Sequence, residues 1–178
     1  MIILIGEGAS GKTTILNELE KKGYQKAISY TTRKPRIEEE KLGEFKFISK
    51  EEFRILWEQN KLLQRAEFND EYYGTDLESV EKDCVFISIV NAVKDIKERL
   101  EELNITDMKP VCFYISATPE ERTKRLLKRG ETIGYIQTRI AIDREKFEKV
   151  NEVADFVIEN TNVDAAVNKI IELYEKYE

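Results

Sequence analysis

The chain has 178 residues, of which 41% are hydrophobic and 36% are charged, and its formal net charge is −6. This length is typical of one domain with a packed apolar core, and the acidic balance argues against a dedicated duplex-DNA binder, because such proteins normally present a basic surface. The sequence contains no histidine, which excludes Ser-His-Asp and Cys-His catalysis and most zinc sites. Any chemistry must therefore use carboxylates, lysines, arginines, hydroxyls or a bound metal.

The chain begins with the pattern of a strand, a glycine-rich loop and a helix. Residues 2–5 form a continuous apolar run that ends at Gly6, which is typical of a buried parallel strand. A helix is predicted over residues 12–22, with its apolar side chains on one face and Gly23 at its end. The glycine-rich segment is therefore expected to join a strand to a helix.

Residues 30–80 break this pattern and predict a small α+β insertion. The stretch 29–44 is polar and indicates loops. Ser49 is a predicted helix N-cap because Glu52 follows three residues later, as in a capping box. The other expected elements of this segment are strands over residues 44–48 and 62–68, and the helix is expected to run to about residue 60.

The second half of the chain alternates strands with helices. Such alternation predicts an α/β fold with a right-handed parallel sheet flanked by helices. The expected strands cover residues 85–90, 111–115 and 156–158, and the expected helices cover residues 91–103, 119–129, 135–150 and 163–177.

Two cysteines, Cys84 and Cys112, lie beside apolar runs, and we interpret them as buried small hydrophobes rather than as a disulfide framework. No apolar run has the length that spans a membrane, and the first residues lack the basic region and cleavage site of a signal peptide. We therefore expect a cytoplasmic protein, monomeric or homodimeric, that binds small molecules rather than nucleic acid or membranes.

The spacing G-x-x-x-x-G-K-[ST] is met by Gly6, Gly11, Lys12 and Thr13. Glycines let the backbone curl so that its N–H groups face phosphate oxygens, and the following helix presents the positive end of its dipole. This P-loop, or Walker A motif, predicts ATP as phosphoryl donor together with Mg²⁺, with Thr13 as the metal ligand. The predicted cofactor-binding residues are Gly6, Gly8, Ala9, Ser10, Gly11, Lys12, Thr13 and Thr14.

A second candidate phosphate site lies in the insertion. Residues 29–36 read S-Y-T-T-R-K-P-R and residues 72–75 read Y-Y-G-T. Arginines form bidentate hydrogen bonds to phosphate, and hydroxyl groups add further donors. Taken alone, the same residues are also compatible with a solvated basic loop and surface tyrosines.

Together with the P-loop and the E-E-F helix start at residues 51–53, these two blocks make the chain resemble the guanylate kinase family over nearly its whole length. The resemblance implies three parts. They are a P-loop core (residues 1–29 and 81–178), a mobile lid within it (about 125–145) and a subdomain for the nucleoside monophosphate (30–80). The expected enzyme is an ATP:NMP phosphotransferase.

The resemblance also implies roles for single residues. The expected substrate-binding residues are Ser29, Arg33, Arg36 and Tyr73 on the acceptor phosphate and Thr75 beside the base, with Phe45 and Gln64 at two further family positions. A basic run on the later helices, which alone would indicate a solvated surface, matches the lid arginines that clamp the phosphates. The expected catalytic residues are Lys12, Arg125, Arg129 and Arg139.

The chain departs from the family pattern at three places. Phe45 replaces a phosphate-binding tyrosine, Gln64 replaces the glutamate that reads the guanine edge, and residues 87–89 (I-S-I) replace a D-x-D motif. A glutamine offers one acceptor and one donor where a glutamate accepts twice. These departures concern base recognition and the metal shell, whereas the phosphate sites are retained.

The sequence therefore leaves three functions open. The leading one is ATP-dependent transfer of a γ-phosphoryl group to a nucleoside monophosphate, with GMP or dGMP as first candidate. The second is a kinase of another acceptor, either a different (d)NMP or ribose 1,5-bisphosphate. The third is a catalytically weak binding domain, against which the retained Lys12 and Thr13 argue.

Overall fold

The computed structural model describes residues 1–35, 45–68 and 70–177. Its elements follow in the order β1 (Ile2–Ile5), α1 (Lys12–Lys21), β2 (Gln25–Lys26), β3 (Ser29–Thr31), β4 (Lys46–Phe47), α2 (Lys50–Glu58), β5 (Leu62–Phe68), β6 (Glu71–Asp76), β7 (Cys84–Ile87), α3 (Ala92–Glu102), β8 (Val111–Ser116), α4 (Pro119–Lys128), α5 (Ile133–Lys146), β9 (Phe156–Glu159) and α6 (Val163–Tyr177). Short 3₁₀ turns occupy Leu77–Ser79 and Val150–Glu152.

The larger sheet has five parallel strands in the order β2-β7-β1-β8-β9. Its central strand β1 is fully buried, as its continuous apolar sequence requires. Ile2 and Leu4 pack into one apolar cluster with α1 and α6, whereas Ile3 and Ile5 pack into a second cluster with α3. Helices thus cover both faces, and the predicted parallel α/β fold is confirmed.

The smaller sheet has four strands in the order β4-β3-β6-β5. β6 pairs antiparallel with both β3 and β5, and β3 pairs parallel with β4. α2 begins with the predicted capping box, since Ser49 Oγ accepts a hydrogen bond from Glu52 N–H at 3.1 Å and Ser49 N–H donates to the Glu52 carboxylate at 2.8 Å. The buried Phe53 of α2 stacks on Tyr72 of β6 at 5.5 Å.

Several predicted boundaries differ from the structure. Three strands, β2, β3 and β6, were not predicted. β2 and β3 have only two or three residues, and none of the three forms a continuous apolar run. The strand expected over residues 85–90 ends at Ile87, where the Ser88 N–H makes the last bond to β1 and the chain turns. α5 begins at Ile133, because Thr132 Oγ1 caps it by accepting from Tyr135 N–H at 3.4 Å.

Cys84 and Cys112 are both free and fully buried, which confirms their interpretation as small core residues. Burial raises the pKa of Cys112 to about 12, and the charge of Asp155 adds to this. Within the described residues, no helix combines the length and the apolar character needed to cross a membrane.

Candidate active site

A cavity of about 1110 Å³ lies between the carboxyl ends of the parallel strands and the smaller sheet. Ligand pockets usually have volumes of about 300–1,000 Å³, so this cavity has room for a large ligand or for two. Crevices at the carboxyl ends of parallel strands are the usual ligand sites of open α/β sheets. Four segments line it: the P-loop with α1, the smaller sheet with its flanking loops, the turn between β7 and α3, and the region from the end of α4 through α5.

The predicted P-loop residues lie at this cavity. Those that line it are Gly6, Gly8, Ala9, Gly11, Lys12, Thr13 and Thr14, whereas Ser10 is fully buried behind the loop. The Lys12 ammonium group donates to the main-chain oxygens of Gly6 and Glu7 at 2.9 and 3.0 Å. The loop and its lysine therefore form one compact cationic rim of the cavity.

Gly11 is the N-cap of α1, and its φ of 103° lies in the left-handed region. A Cβ atom at this position would lie 2.1 Å from Asn160 Nδ2, so only glycine fits. Glycine offers no side-chain oxygen to cap the first turn, and the helix dipole favours an anion at this end of α1. This geometry agrees with the phosphate cradle expected from the sequence.

Arg125 holds the back of the P-loop. Its guanidinium group donates to the main-chain oxygens of Ala9 at 3.1 Å, Ser10 at 2.9 Å and Asn160 at 3.0 Å. The Asn160 side-chain amide also donates to Ser10 O at 2.8 Å. Arg125 is not among the residues that line the cavity; in this structure it binds the loop carbonyls, and its expected role at the phosphates stays a prediction.

The other two expected lid arginines, Arg129 and Arg139, line the cavity. The Arg139 guanidinium donates to the Tyr135 hydroxyl at 3.1 Å. It also lies against Gly8, where an added Cβ would meet Arg139 Nε at 2.7 Å. A cation of α5 thus lies directly against the phosphate loop.

The smaller sheet brings Arg33, Phe45 and Tyr73 to the opposite wall. The rings of Phe45 and Tyr73 meet edge to face with centroids 5.8 Å apart, and the Arg33 guanidinium lies over Phe47 at 5.6 Å. These contacts orient the arginine and the tyrosine that the sequence assigns to the acceptor phosphate. Arg36, the fourth member of that set, lies outside the described residues.

Ser29, Thr75 and Gln64 form a buried polar row across three strands of the smaller sheet. Thr75 pairs with Ser29 on one side and with Gln64 on the other, and all three are buried. Because strand side chains alternate, the row lies on the same face as Tyr73. Gln64 Nε2 donates to Thr75 Oγ1 at 3.5 Å, and Gln64 Oε1 has no hydrogen-bond partner among the described residues.

Ser88 occupies the end of β7, at the position of the missing D-x-D motif. It lines the cavity with Ile87 and Ile89, and its buried hydroxyl has no hydrogen-bond partner in the described part of the chain. The described residues contain no group of three or more His, Cys, Asp or Glu side chains that could hold a metal ion by themselves. A cation at this edge would therefore take few protein ligands.

Sequence reasoning missed four residues around the P-loop: Glu7, Arg122, Asp143 and Asn160. Arg122 lay within a basic run that alone would indicate a solvated surface and in which the resemblance marked other arginines, yet its side chain is only 3% exposed and pairs with Asp143. The acidic partner was 21 residues away along the chain, so no local pattern could join the two. Asn160 follows β9 directly, and a polar residue at a strand end was the one available signal.

The guanylate kinase family model matches residues 1–177. The curated guanylate kinase from Bacillus anthracis is 33% identical to the chain, and the match covers 96% of this chain and 84% of that protein. The curated guanylate kinase from Prochlorococcus marinus subsp. pastoris is also 33% identical, and the match covers 97% of this chain and 95% of that protein.

Two solved structures are similar in fold. The guanylate kinase from Anaplasma phagocytophilum has a TM-score of 0.66 at 19% identity, over 99% of this chain and 85% of that one. The shikimate kinase from Acinetobacter baumannii has a TM-score of 0.56 at 16% identity, over 99% and 93%. The fold, the phosphate loop and the whole-length sequence match agree, and the chain belongs to the guanylate kinase family.

Proposed function

We propose that the protein is an ATP-dependent GMP kinase, which transfers the γ-phosphoryl group of ATP to the phosphate of GMP or dGMP. One observation carries the proposal: a single cavity is lined by the P-loop on one side and by Arg33 and Tyr73 on the other. Two sets of phosphate-binding groups therefore face one space. Family membership supports the same reaction.

The donor half of the site is the P-loop. Its first-turn N–H groups and Lys12 would bind the β- and γ-phosphates of ATP, since both supply positive charge at the cavity rim. Lys12 donates to Gly6 O and Glu7 O in the structure, and these bonds hold its ammonium group at the loop.

The acceptor half is the wall formed by the smaller sheet. Arg33 would hold the GMP phosphate by charge-assisted hydrogen bonds and Tyr73 would add a hydroxyl donor. With both phosphates fixed, the attacking and leaving oxygens can lie in line with the transferred group. Arg129 and Arg139 at the lid side of the cavity would neutralise charge on that group, so positioning and electrostatics supply the catalysis.

The residues at the donor edge fit a magnesium ion of modest protein coordination. Mg²⁺ in kinases is commonly held by few protein oxygens, with substrate phosphates and water completing its octahedral shell. The hydroxyls of Thr13 and Ser88, both on residues that line the cavity, would be its protein ligands here. When bound, the ion neutralises phosphate charge.

The buried polar row of Ser29, Thr75 and Gln64 supports a nucleoside acceptor over a sugar phosphate. The row lies on the cavity-facing side of the sheet beyond Tyr73, and Gln64 Oε1 is an acceptor with no partner among the described residues. A purine base can offer ring and exocyclic N–H groups to such an acceptor, whereas a sugar phosphate has no N–H group.

The division of the chain into core, lid and acceptor subdomain stays a prediction of the sequence. So do the monomeric or homodimeric state, the cytoplasmic location and the absence of nucleic-acid partners.

The proposed reaction predicts ADP release from ATP and Mg²⁺ that depends on an added acceptor. We expect GMP and dGMP to stimulate ADP release strongly in a coupled assay, and AMP, CMP, UMP and ribose 1,5-bisphosphate to have little effect. Lys12→Met, which removes one donor to the transferred phosphate, should lower kcat by about 10²–10³-fold and controls for contaminating kinases. The proposal is wrong if no monophosphate stimulates ADP release.

Arg33→Ala should raise the KM for GMP by about 10- to 100-fold, because a hydrogen bond to a charged group contributes about 1.5–3 kcal/mol. The KM for ATP should change little. The matched control is Arg54→Ala on α2. The Arg54 guanidinium forms exposed ion pairs with Glu51 and Glu58 at 2.7 Å, and because exposed pairs contribute little, this variant should leave the KM for GMP near the wild-type value. Equal KM values for GMP in the two variants would contradict the assigned role of Arg33.

Gly11→Ala should weaken ATP binding by about tenfold or more, since left-handed strain in a non-glycine residue costs about 1–3 kcal/mol and the new methyl group would collide with Asn160. Gly134→Ala in α5 is the control, because no described atom lies within 4 Å of its added Cβ. That change should instead stabilise the protein by about 0.5–1 kcal/mol. Isothermal titration with ATP measures both effects, and undiminished affinity in Gly11→Ala would count against the cradle.

A further inference from the structure

A buried ion pair lies directly against the P-loop. Arg122 of α4 donates from one terminal nitrogen to Asp143 Oδ2 of α5, and both side chains are only 3% exposed. Neither residue belongs to the sets that we assign to donor or acceptor phosphates. A pair of charges removed from water needs good geometry and further hydrogen bonds to offset the loss of hydration.

Those further hydrogen bonds go to one residue of the phosphate loop. The Gly8 N–H donates to Asp143 Oδ2 at 3.1 Å, and Gly8 O accepts from Arg122 Nε at 2.8 Å. Both polar groups of Gly8 are thereby fixed by side chains. A loop peptide has no regular helix or strand partner, so side chains must satisfy and orient it.

The pair also reaches the lid-side arginine. Arg139 Nε lies 3.8 Å from Asp143 Oδ2, and the Arg139 guanidinium lies on Gly8, at 2.7 Å from the position of an added Cβ. Asp143 and Arg139 are one helical turn apart on α5. One carboxylate oxygen therefore contacts Arg122, the Gly8 peptide and the flank of Arg139 together.

The local charges are balanced around this contact. Glu7 Oε1 lies 3.8 Å from Arg122, so that two acidic and two basic side chains surround Gly8. Burial, with a hydrogen bond and the charge of Glu7, raises the pKa of the adjacent Tyr114, which stays a neutral donor. Asp143 thus adds no net negative charge where phosphates are expected.

We propose that Arg122 and Asp143 are positioning residues for phosphoryl transfer, because they hold the Gly8 peptide and Arg139 together at the phosphate loop. This inference rests on the proposed function. Buried ion pairs usually add little net stability, and apolar residues of similar volume often replace them without loss. A contribution to folding stability therefore does not by itself explain why a buried ion pair lies beside the P-loop.

The decisive variant is the double replacement Arg122→Met/Asp143→Leu, which removes both charges and retains apolar volume. We expect it to fold with a thermal midpoint near that of the wild type. Its kcat should fall by about 10- to 100-fold, because small misplacements of reacting groups cost rates of this order. The KM for GMP should stay within about twofold, since Arg33 and Tyr73 lie on the opposite wall.

The matched control is Arg54→Met/Glu58→Leu, which removes an exposed Arg–Glu pair of 2.7 Å on α2. It should leave both kcat values and KM values near those of the wild type. Wild-type stability together with wild-type kcat in the Arg122→Met/Asp143→Leu variant would overturn the proposal, because the pair would then be only structural.

If the double variant does not fold, Arg122→Lys provides the test. Lysine keeps the positive charge beside Asp143 but cannot direct N–H groups from two separate nitrogens at Gly8 O and at the carboxylate. We expect a folded protein with reduced kcat and an unchanged KM for GMP. Full kcat in Arg122→Lys would overturn the proposal as well.

ADP binding separates this inference from the proposed function. In titration calorimetry without an acceptor, the variants should bind Mg-ADP about tenfold more weakly than the wild type, the order that a lost charge-assisted hydrogen bond costs. If the wild-type protein binds Mg-ADP but does not phosphorylate GMP, the proposed function is wrong. The difference in Mg-ADP affinity between the wild type and the variants would still test the role of Arg122 and Asp143. Equal affinities for Mg-ADP would then refute the pair's role.

Discussion

The backbone of the phosphate loop has a shape that it cannot maintain alone. Gly6, Ala9 and Gly11 all have positive φ values, and the loop peptides have no regular ladder of partners. Side chains from distant segments supply the missing hydrogen bonds. Arg125 and Asn160 bind the carbonyls at the back of the loop, and the buried pair of Arg122 and Asp143 binds Gly8. The site is thus organised before any ligand enters it, which lowers the cost of binding and of reaction.

The two sheets have different tasks in this arrangement. The parallel sheet ends at the loop and α1, which offer positive partial charge to a donor phosphate, while the smaller sheet carries Arg33 and Tyr73 on the opposite wall. Phosphoryl transfer needs little covalent help from the protein, so the rate depends on holding both phosphates in line and on neutralising their charge. The cavity between the sheets meets this requirement, because cationic groups reach it from the loop, the smaller sheet and α5.

The sequence predicted what depends on local pattern. The parallel α/β fold, the capping box at Ser49 and the strand Leu62–Phe68 follow from periodicity and cap chemistry, and the whole-length family assignment is confirmed. It could not predict what depends on long-range packing. Arg122 belongs to a charged run and yet is buried beside Asp143. The loop carbonyls that Arg125 binds lie 115 and 116 positions away along the chain.

A bisubstrate analogue, in which five phosphates join adenosine to guanosine, tests directly whether the two phosphate sites face each other at transfer distance. Titration calorimetry should give one analogue per chain, with an affinity at least about 100-fold above that of ADP or GMP alone, because the second nucleotide then binds intramolecularly. An affinity no higher than that of the tighter single nucleotide would contradict the account, since the donor and acceptor halves would then not form one site.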